Sequence, residues 1–224
     1  MDNTAPPPDF KQRLKASYGA MAPIYNVWTE KHSPLRLAYL EKLYAQLPRL
    51  RDADKNISVL ELGCGAGLPI LDTILSRNPK LTAIANDLSD TQISLARKNL
   101  AQYDDRVRFA QDDMMRLSFP EGSLTAVVAL YSIIHLPGHE QRDMVATIAR
   151  WLEPGGCLLA TFLPREMPSL VEEKWLDDKG WMYWSGLGES TTLQNLRDAE
   201  FRLEACQLEG DEEETFLWII ARKE

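Results

Sequence analysis

Apolar residues follow two alternating rhythms along this chain. Between Ile57 and Phe162, short and nearly continuous apolar runs rich in β-branched residues alternate with stretches in which apolar positions recur every three or four residues. The first rhythm marks strands buried on both faces and the second marks amphipathic helices. Strands are expected at Ser58–Leu62, Leu81–Asn86, Val107–Ala110, Thr125–Tyr131 and Cys157–Phe162. Helices are expected from about Leu68 to Arg77, after a Ser89 N-cap through Leu100, and from about Glu140 to Leu152. Glu121-Gly122 and Pro154-Gly155-Gly156 supply turns. Strand and helix in alternation predict a parallel sheet covered on both faces.

The flanks depart from this rhythm. Phe10–Ala22 reads as a helix interrupted at Pro23. Pro34 opens a second helix, with Leu35, Leu40, Leu43 and Leu47 on its apolar side and Pro48 as its stop. After Phe162, Pro164–Ser190 reads as a long connection with a helix near Ser169–Asp177. It holds Trp175, Trp181, Met182, Tyr183 and Trp184, more aromatic surface than a plain loop would carry. A helix over Thr191–Glu200 follows. Strands at Arg202–Leu208 and Thr215–Ala221 flank the acidic turn Glu209–Glu214, which predicts a terminal antiparallel pair. The expected fold is α/β, a Rossmann-like, doubly wound, seven-stranded sheet. It is mostly parallel with a reversed last strand and has helices on both faces.

The most informative stretch is Val59-Leu-Glu-Leu-Gly-Cys-Gly-Ala-Gly67. A buried strand that ends in glycines and restarts as a helix lets backbone approach a ligand closely. The spacing Gly63-x-Gly65-x-Gly67 lacks the G-x-G-x-x-G of dinucleotide sites. S-adenosylmethionine has no phosphate to cradle, and such a loop suits its amino-acid and ribose portion. Asp87, about 20 residues further on, can accept from both ribose hydroxyls. Asp112, Asp113 and Met114 end the third strand, where an acid and an apolar side chain can engage adenine.

These motifs resemble the class I S-adenosylmethionine-dependent methyltransferases, of the small-molecule methyltransferase domain 11/25 type. The resemblance runs through Ala85-Asn-Asp-Leu-Ser89 with Ala96-Arg97, and Val107-Arg-Phe-Ala-Gln-Asp-Asp-Met114. It continues through Leu117-Ser-Phe-Pro-Glu-Gly-Ser123, Ser132-Ile-Ile-His-Leu136 and Trp151-Leu-Glu-Pro-Gly-Gly156. It implies that Glu61 and the loop Gly63, Cys64, Gly65 and Gly67 hold the methionine part. Asp87 would take the ribose, and Leu88 and Met114 would lie against adenine. Asp113 is the family's adenine-binding acid by spacing, but Asp112 stands where the family often has glycine, so both are candidates. Leu130 and Tyr131 would lie beside the methionine end. Tyr18-x6-Tyr25-Asn26 resembles the family's lid element with both of its acids replaced. The implied organisation is a tail and lid helices over 1–50, then a cofactor-binding domain over 51–224 with an aromatic substrate cover at 164–190.

In this frame the expected function is methyl transfer to a small-molecule acceptor, with oxygen ahead of nitrogen or sulfur. Protein or peptide methylation, or a non-catalytic cofactor-binding partner subunit, are the alternatives. His135 is the candidate base, with Tyr25 and Tyr131 beside the reaction. Tyr25, Trp28, Tyr131, His135, Trp181 and Trp184 are the candidate substrate contacts. His32 is too isolated to assign a role.

Composition narrows the classes further. The chain has 224 residues, 45% hydrophobic and 26% charged, with a formal net charge of -8, which argues against broad attraction to nucleic acid or anionic membrane. Ala129-Leu-Tyr-Ser132 also lacks the Asn/Asp-Pro-Pro-Tyr/Phe of exocyclic-amine nucleic-acid methyltransferases. No apolar run approaches the roughly 20 residues of a membrane span. No ligand set has metal-site spacing. Met1–Asp9 does not read as a signal peptide and is expected to be a loose tail. Cys64, Cys157 and Cys206 are scattered, so a cytoplasmic protein with reduced thiols is expected, as monomer or homodimer.

Overall fold

The computed structural model of the chain describes residues 5–52, 56–211 and 214–224. The centre of the expected acidic turn and the first part of the expected tail lie outside these residues. In chain order the strands are β1 (Ser58–Leu62), β2 (Thr82–Asp87), β3 (Val107–Gln111), β4 (Leu124–Ala129), β5 (Leu152–Phe162), β6 (Glu166–Glu173), β7 (Trp181–Leu187), β8 (Phe201–Gly210) and β9 (Thr215–Lys223). The helices are α1 (Phe10–Trp28), α2 (Ser33–Gln46), α3 (Ile70–Arg77), α4 (Asp90–Asn99), α5 (Gly138–Trp151) and α6 (Gly188–Asp198).

Seven strands form one sheet in the order β3-β2-β1-β4-β5-β9-β8. β9 runs antiparallel to both of its neighbours, so it is the reversed strand. Side chains alternate between two buried faces. Val59, Ala126, Val128 and Trp218 join α2, α3 and α4 on one side. Leu60, Leu62, Val127 and Leu217 join α5 and α6 on the other. This two-sided burial is why the strands read as continuous apolar runs. Ser89 caps α4 as expected, its hydroxyl accepting the Gln92 N–H at 3.3 Å.

Three expectations need correction. Pro23 does not end the first helix, and α1 continues through it to Trp28. An interior proline costs roughly 3 kcal/mol. Here it lies on the exposed side, while Phe10, Leu14 and Met21 bury against Trp181, Met182 and Tyr183. The helix expected near Ser169–Asp177 is absent. The segment is a β-hairpin, with β6 antiparallel to β7 and Leu170 opposite Trp184. Lys174 (φ 63°) and Leu176 (φ 60°) adopt left-handed backbone, which stops a helix there. The fourth strand ends at Ala129 rather than Tyr131, because Tyr131 turns the chain with φ 55°.

The carboxyl ends of the parallel strands meet along one edge, and α1 lies across it. Ser17 Oγ accepts the Trp181 N–H at 2.7 Å. Lys11 Nζ pairs with Asp113 at 2.7 Å and Glu140 at 2.6 Å. The glycine turn depends on close packing at Gly63, which has φ 72° and where a Cβ would stand 2.5 Å from Ser132 Cβ. Gly65 has φ 53° but nothing within 4 Å. Gly63→Ala should therefore cost more than roughly 2 kcal/mol, and Gly65→Ala only about 1 kcal/mol. Urea unfolding of the two variants checks this, and equal losses would contradict it.

Candidate active site

Three cavities meet at the carboxyl edge of the sheet. The first runs from Asp112, Asp113 and Met114 past Asn86, Asp87 and Leu88 to Tyr18 and His135. The second runs under the glycine turn, between Glu61, Gly63, Cys64 and Gly65 on one side and Thr29, Ser33 and Arg36 on the other. The third is aromatic, with Trp28, His32, Trp175, Trp184 and Phe216 in its walls. Tyr25 and Tyr131 line all three, so their side chains mark the junction.

Asp87 ties the turn to the sheet. One oxygen accepts the Gly65 N–H at 2.9 Å and the other the Ser89 N–H at 2.8 Å. Burial pushes its carboxyl up to about 6, although the N–H groups of Ser89, Gly65 and Leu88 pull it down. Asn86 donates to the carbonyls of Ala110 at 3.0 Å and Asp112 at 2.9 Å, which fixes the end of β3. Asp113 is engaged at both oxygens, by the Met115 N–H at 3.0 Å and by Lys11 at 2.7 Å. Asp112 accepts the Asp113 N–H at 2.8 Å, lies 3.7 Å from the Arg116 guanidinium and lines the first cavity.

Glu61 is buried at the end of the second cavity, and its Oε2 has no hydrogen-bond partner. Burial lifts its carboxyl to about 8, and the Arg36 guanidinium only partly counters this. Arg36 donates through one terminal nitrogen to Thr29 O at 2.9 Å and Ser33 Oγ at 3.1 Å, while its Nε is buried without a partner. An acid and a guanidinium with vacant valences in one cavity are suited to a zwitterion.

The sequence-derived residues are not all brought together. Gly67 lines none of the three cavities; a Cβ there would stand 2.7 Å from Leu100 Cδ1, so it seats the turn on α4. Trp181 also lies outside them, buried under Arg13, whose guanidinium sits 4.1 Å from the ring. Trp175 takes the place expected of Trp181, at 5.3 Å from Trp28 and 5.6 Å from Trp184. His32 is not isolated: its ring is 4.8 Å from Trp28 and 5.8 Å from Tyr131. Sequence reasoning missed Arg36 and Lys11, single cations on helices with no motif around them.

His135 is held at both ring nitrogens. Nδ1 lies 2.8 Å from Tyr183 O and Nε2 lies 2.9 Å from the Tyr18 hydroxyl. Burial pulls its value from 6.5 down to about 4, opposed by the Tyr183 carbonyl. Burial also raises Tyr18 well above its ordinary value, and Tyr25 and Tyr131 rise for the same reason. Among the described residues, no group of three or more His, Cys, Asp or Glu is placed to hold a metal ion. None of their helices is long and apolar enough to cross a membrane.

The depressed His135 sets a pH dependence. Between about pH 6.5 and about pH 4 the unfolded chain binds a proton that the folded chain resists, so this group removes stability as pH falls. Glu61 acts in the opposite sense, so the comparison with His135→Gln isolates the effect. Across that window the variant should lose less stability than the wild type, by roughly 2–3 kcal/mol in urea titrations. Parallel profiles would contradict the burial of a neutral ring.

Residues 59–156 match the family model described as a methyltransferase domain. The chain is 32% identical over 154 residues to the 27-O-demethylrifamycin SV methyltransferase of Amycolatopsis mediterranei, covering 66% of this chain and 54% of that protein. It spans about half the length of the curated relatives it matches. Its fold is similar to that of the 1,6-didemethyltoxoflavin-N1-methyltransferase of Burkholderia thailandensis, solved with its acceptor and S-adenosylhomocysteine. That TM-score is 0.74 at 18% identity, covering 98% of this chain and 91% of the other. The [4+2]-cyclase SpnF is also similar, with a TM-score of 0.68 at 18% identity over 95% of this chain and 96% of the other, so the fold does not by itself fix a reaction. The sequence match and the fold agree: residues 59–156 are those of a methyltransferase domain, on a sheet like that of S-adenosylmethionine-dependent methyltransferases.

Proposed function

We propose that the chain transfers the methyl group of S-adenosylmethionine to a small, planar acceptor. The observation that carries this is the pair of vacant buried valences, Glu61 Oε2 and Arg36 Nε, in a cavity that opens toward both others at Tyr25 and Tyr131. Glu61 would hold the ammonium of the cofactor's amino-acid end and Arg36 its carboxylate. The open space at Gly65 lets the cofactor pass close to the backbone. Asp87 would take the ribose. Leu88 and Met114 would flank adenine, with Asp112 at its amino group, since the Lys11 ammonium already pairs with Asp113.

When bound, the cofactor supplies an activated methyl whose bonding electron pair returns to sulfur on transfer. The chain's task is to align the acceptor and keep water out. Tyr25 and Tyr131 stand at the junction, where they can confine the reacting atoms. Trp28, Trp175 and Trp184 offer ring faces to a flat acceptor. Helices α1 and α2 serve as the lid and the β6–β7 hairpin as the substrate cover. Oxygen is the acceptor atom we favour. The relative named for 27-O-demethylrifamycin SV supports it, while the fold neighbour named for an N1 position keeps nitrogen as the rival.

Calorimetry with S-adenosylhomocysteine tests the seat. The ammonium selects ionised Glu61, so affinity should rise as pH goes from 6 toward about 8, with proton release on binding. Glu61→Gln should abolish that pH dependence, and both it and Arg36→Met should weaken binding roughly 10- to 100-fold. Absence of binding by the wild type would refute the proposal. Turnover against oxygen and nitrogen acceptors then assigns the atom, and binding without transfer to any acceptor would favour a non-catalytic subunit.

A further inference from the structure

The wall between the first cavity and the aromatic one contains a hydrogen-bond chain with a fixed direction. The Tyr183 carbonyl can only accept, so His135 Nδ1, 2.8 Å away, carries a proton and donates it. The ring is half-buried and neutral, its value pulled down to about 4 by desolvation. A neutral ring protonated at Nδ1 has a lone pair at Nε2. Nε2 therefore accepts, and its donor is the Tyr18 hydroxyl at 2.9 Å. A phenol has one proton, and here it is directed to His135 Nε2. Burial above all resists ionisation of the Tyr18 phenol, and the Tyr25 hydroxyl, Asp87 and Glu214 add to it. Tyr18 thus stays a neutral phenol whose oxygen presents lone pairs to the cavity.

We propose that His135 is a positioning residue that acts through Tyr18. By accepting the phenolic O–H it leaves a lone-pair oxygen free for the sulfonium methyl, so that the site favours the charged, methyl-bearing cofactor over its demethylated product. This rests on the cofactor assignment above. A methyl on a sulfonium carries enhanced positive charge on its hydrogens, and a lone-pair oxygen attracts it as a C–H···O contact. After transfer both the methyl and the charge are gone, and the attraction goes with them. The same oxygen with its proton turned inward would repel the sulfonium. Held by His135 it cannot turn.

Binding measurements with the full chain test this without knowledge of the acceptor. The probes are S-adenosylmethionine, S-adenosylhomocysteine and sinefungin, in which an ammonium on carbon replaces the methyl sulfonium. Tyr18→Phe should lower the preference for S-adenosylmethionine and for sinefungin over S-adenosylhomocysteine by roughly three- to tenfold. His135→Phe should lower both preferences similarly, because it frees the phenolic proton to turn inward. In the Tyr18→Phe background His135→Phe should change neither ratio further. Equal weakening of all three ligands by His135→Phe would overturn the proposal and leave His135 as a staple for α1. A further loss of preference in the double variant would overturn it too. If His135→Phe does not fold, nitrogen NMR of the wild-type ring decides: Nδ1–H with a bare Nε2 is expected, and a protonated Nε2 would overturn the chain's direction. Failure of the wild type to bind any probe would instead refute the cofactor assignment.

Discussion

Two backbone N–H groups converging on the half-buried Asp87 carboxylate hold the carboxyl edge of the sheet in its working shape. Gly65 donates from the turn after β1, and Ser89 donates from the start of α4. The turn can reach this carboxylate because Gly63 and Gly65 adopt positive φ and because Gly63 packs directly on Ser132. Ser132 begins the segment that carries His135, so one contact sets the spacing between the β1 and β4 ends. Two cavities then open on either side of a single turn. Burial of the acid without a cation costs solvation, which its raised value near 6 reflects.

The sheet was legible in the sequence because its parallel strands are buried on both faces, and such strands write continuous apolar runs. β1 to β5, the hairpin β8–β9 and the cap at Ser89 follow from local pattern. The β6–β7 hairpin does not. Only pairing with Trp181–Leu187, and the cover that α1 gives β7, make Glu166–Glu173 a strand. Pro23 misled for the same reason, since tertiary burial of Phe10, Leu14 and Met21 outweighs a local penalty.

The candidate site divides along the same line. Residues on the turn and at strand ends (Glu61, Gly63, Gly65, Asp87, Asp112 and Met114) fall where motif spacing puts them. Residues that come from covering elements do not. Arg36 reaches the turn from α2, Lys11 reaches Asp113 from α1, and Trp175 rather than Trp181 faces the aromatic cavity. Trp181 and Trp184 stand three apart on β7 and so point to opposite faces, while Trp175 comes from the connection between β6 and β7. The cavity walls at the sheet edge are thus written locally, while those from α1, α2 and the β6–β7 hairpin depend on long-range packing.

The account stands or falls on the junction at Tyr25 and Tyr131. Crystals of the chain with S-adenosylhomocysteine test it most directly. The account predicts sulfur beside these two tyrosines, the amino-acid end between Glu61 and Arg36, and adenine between Leu88 and Met114. Adenine in the tryptophan-walled cavity, or an amino-acid end pointing away from Arg36, would contradict it.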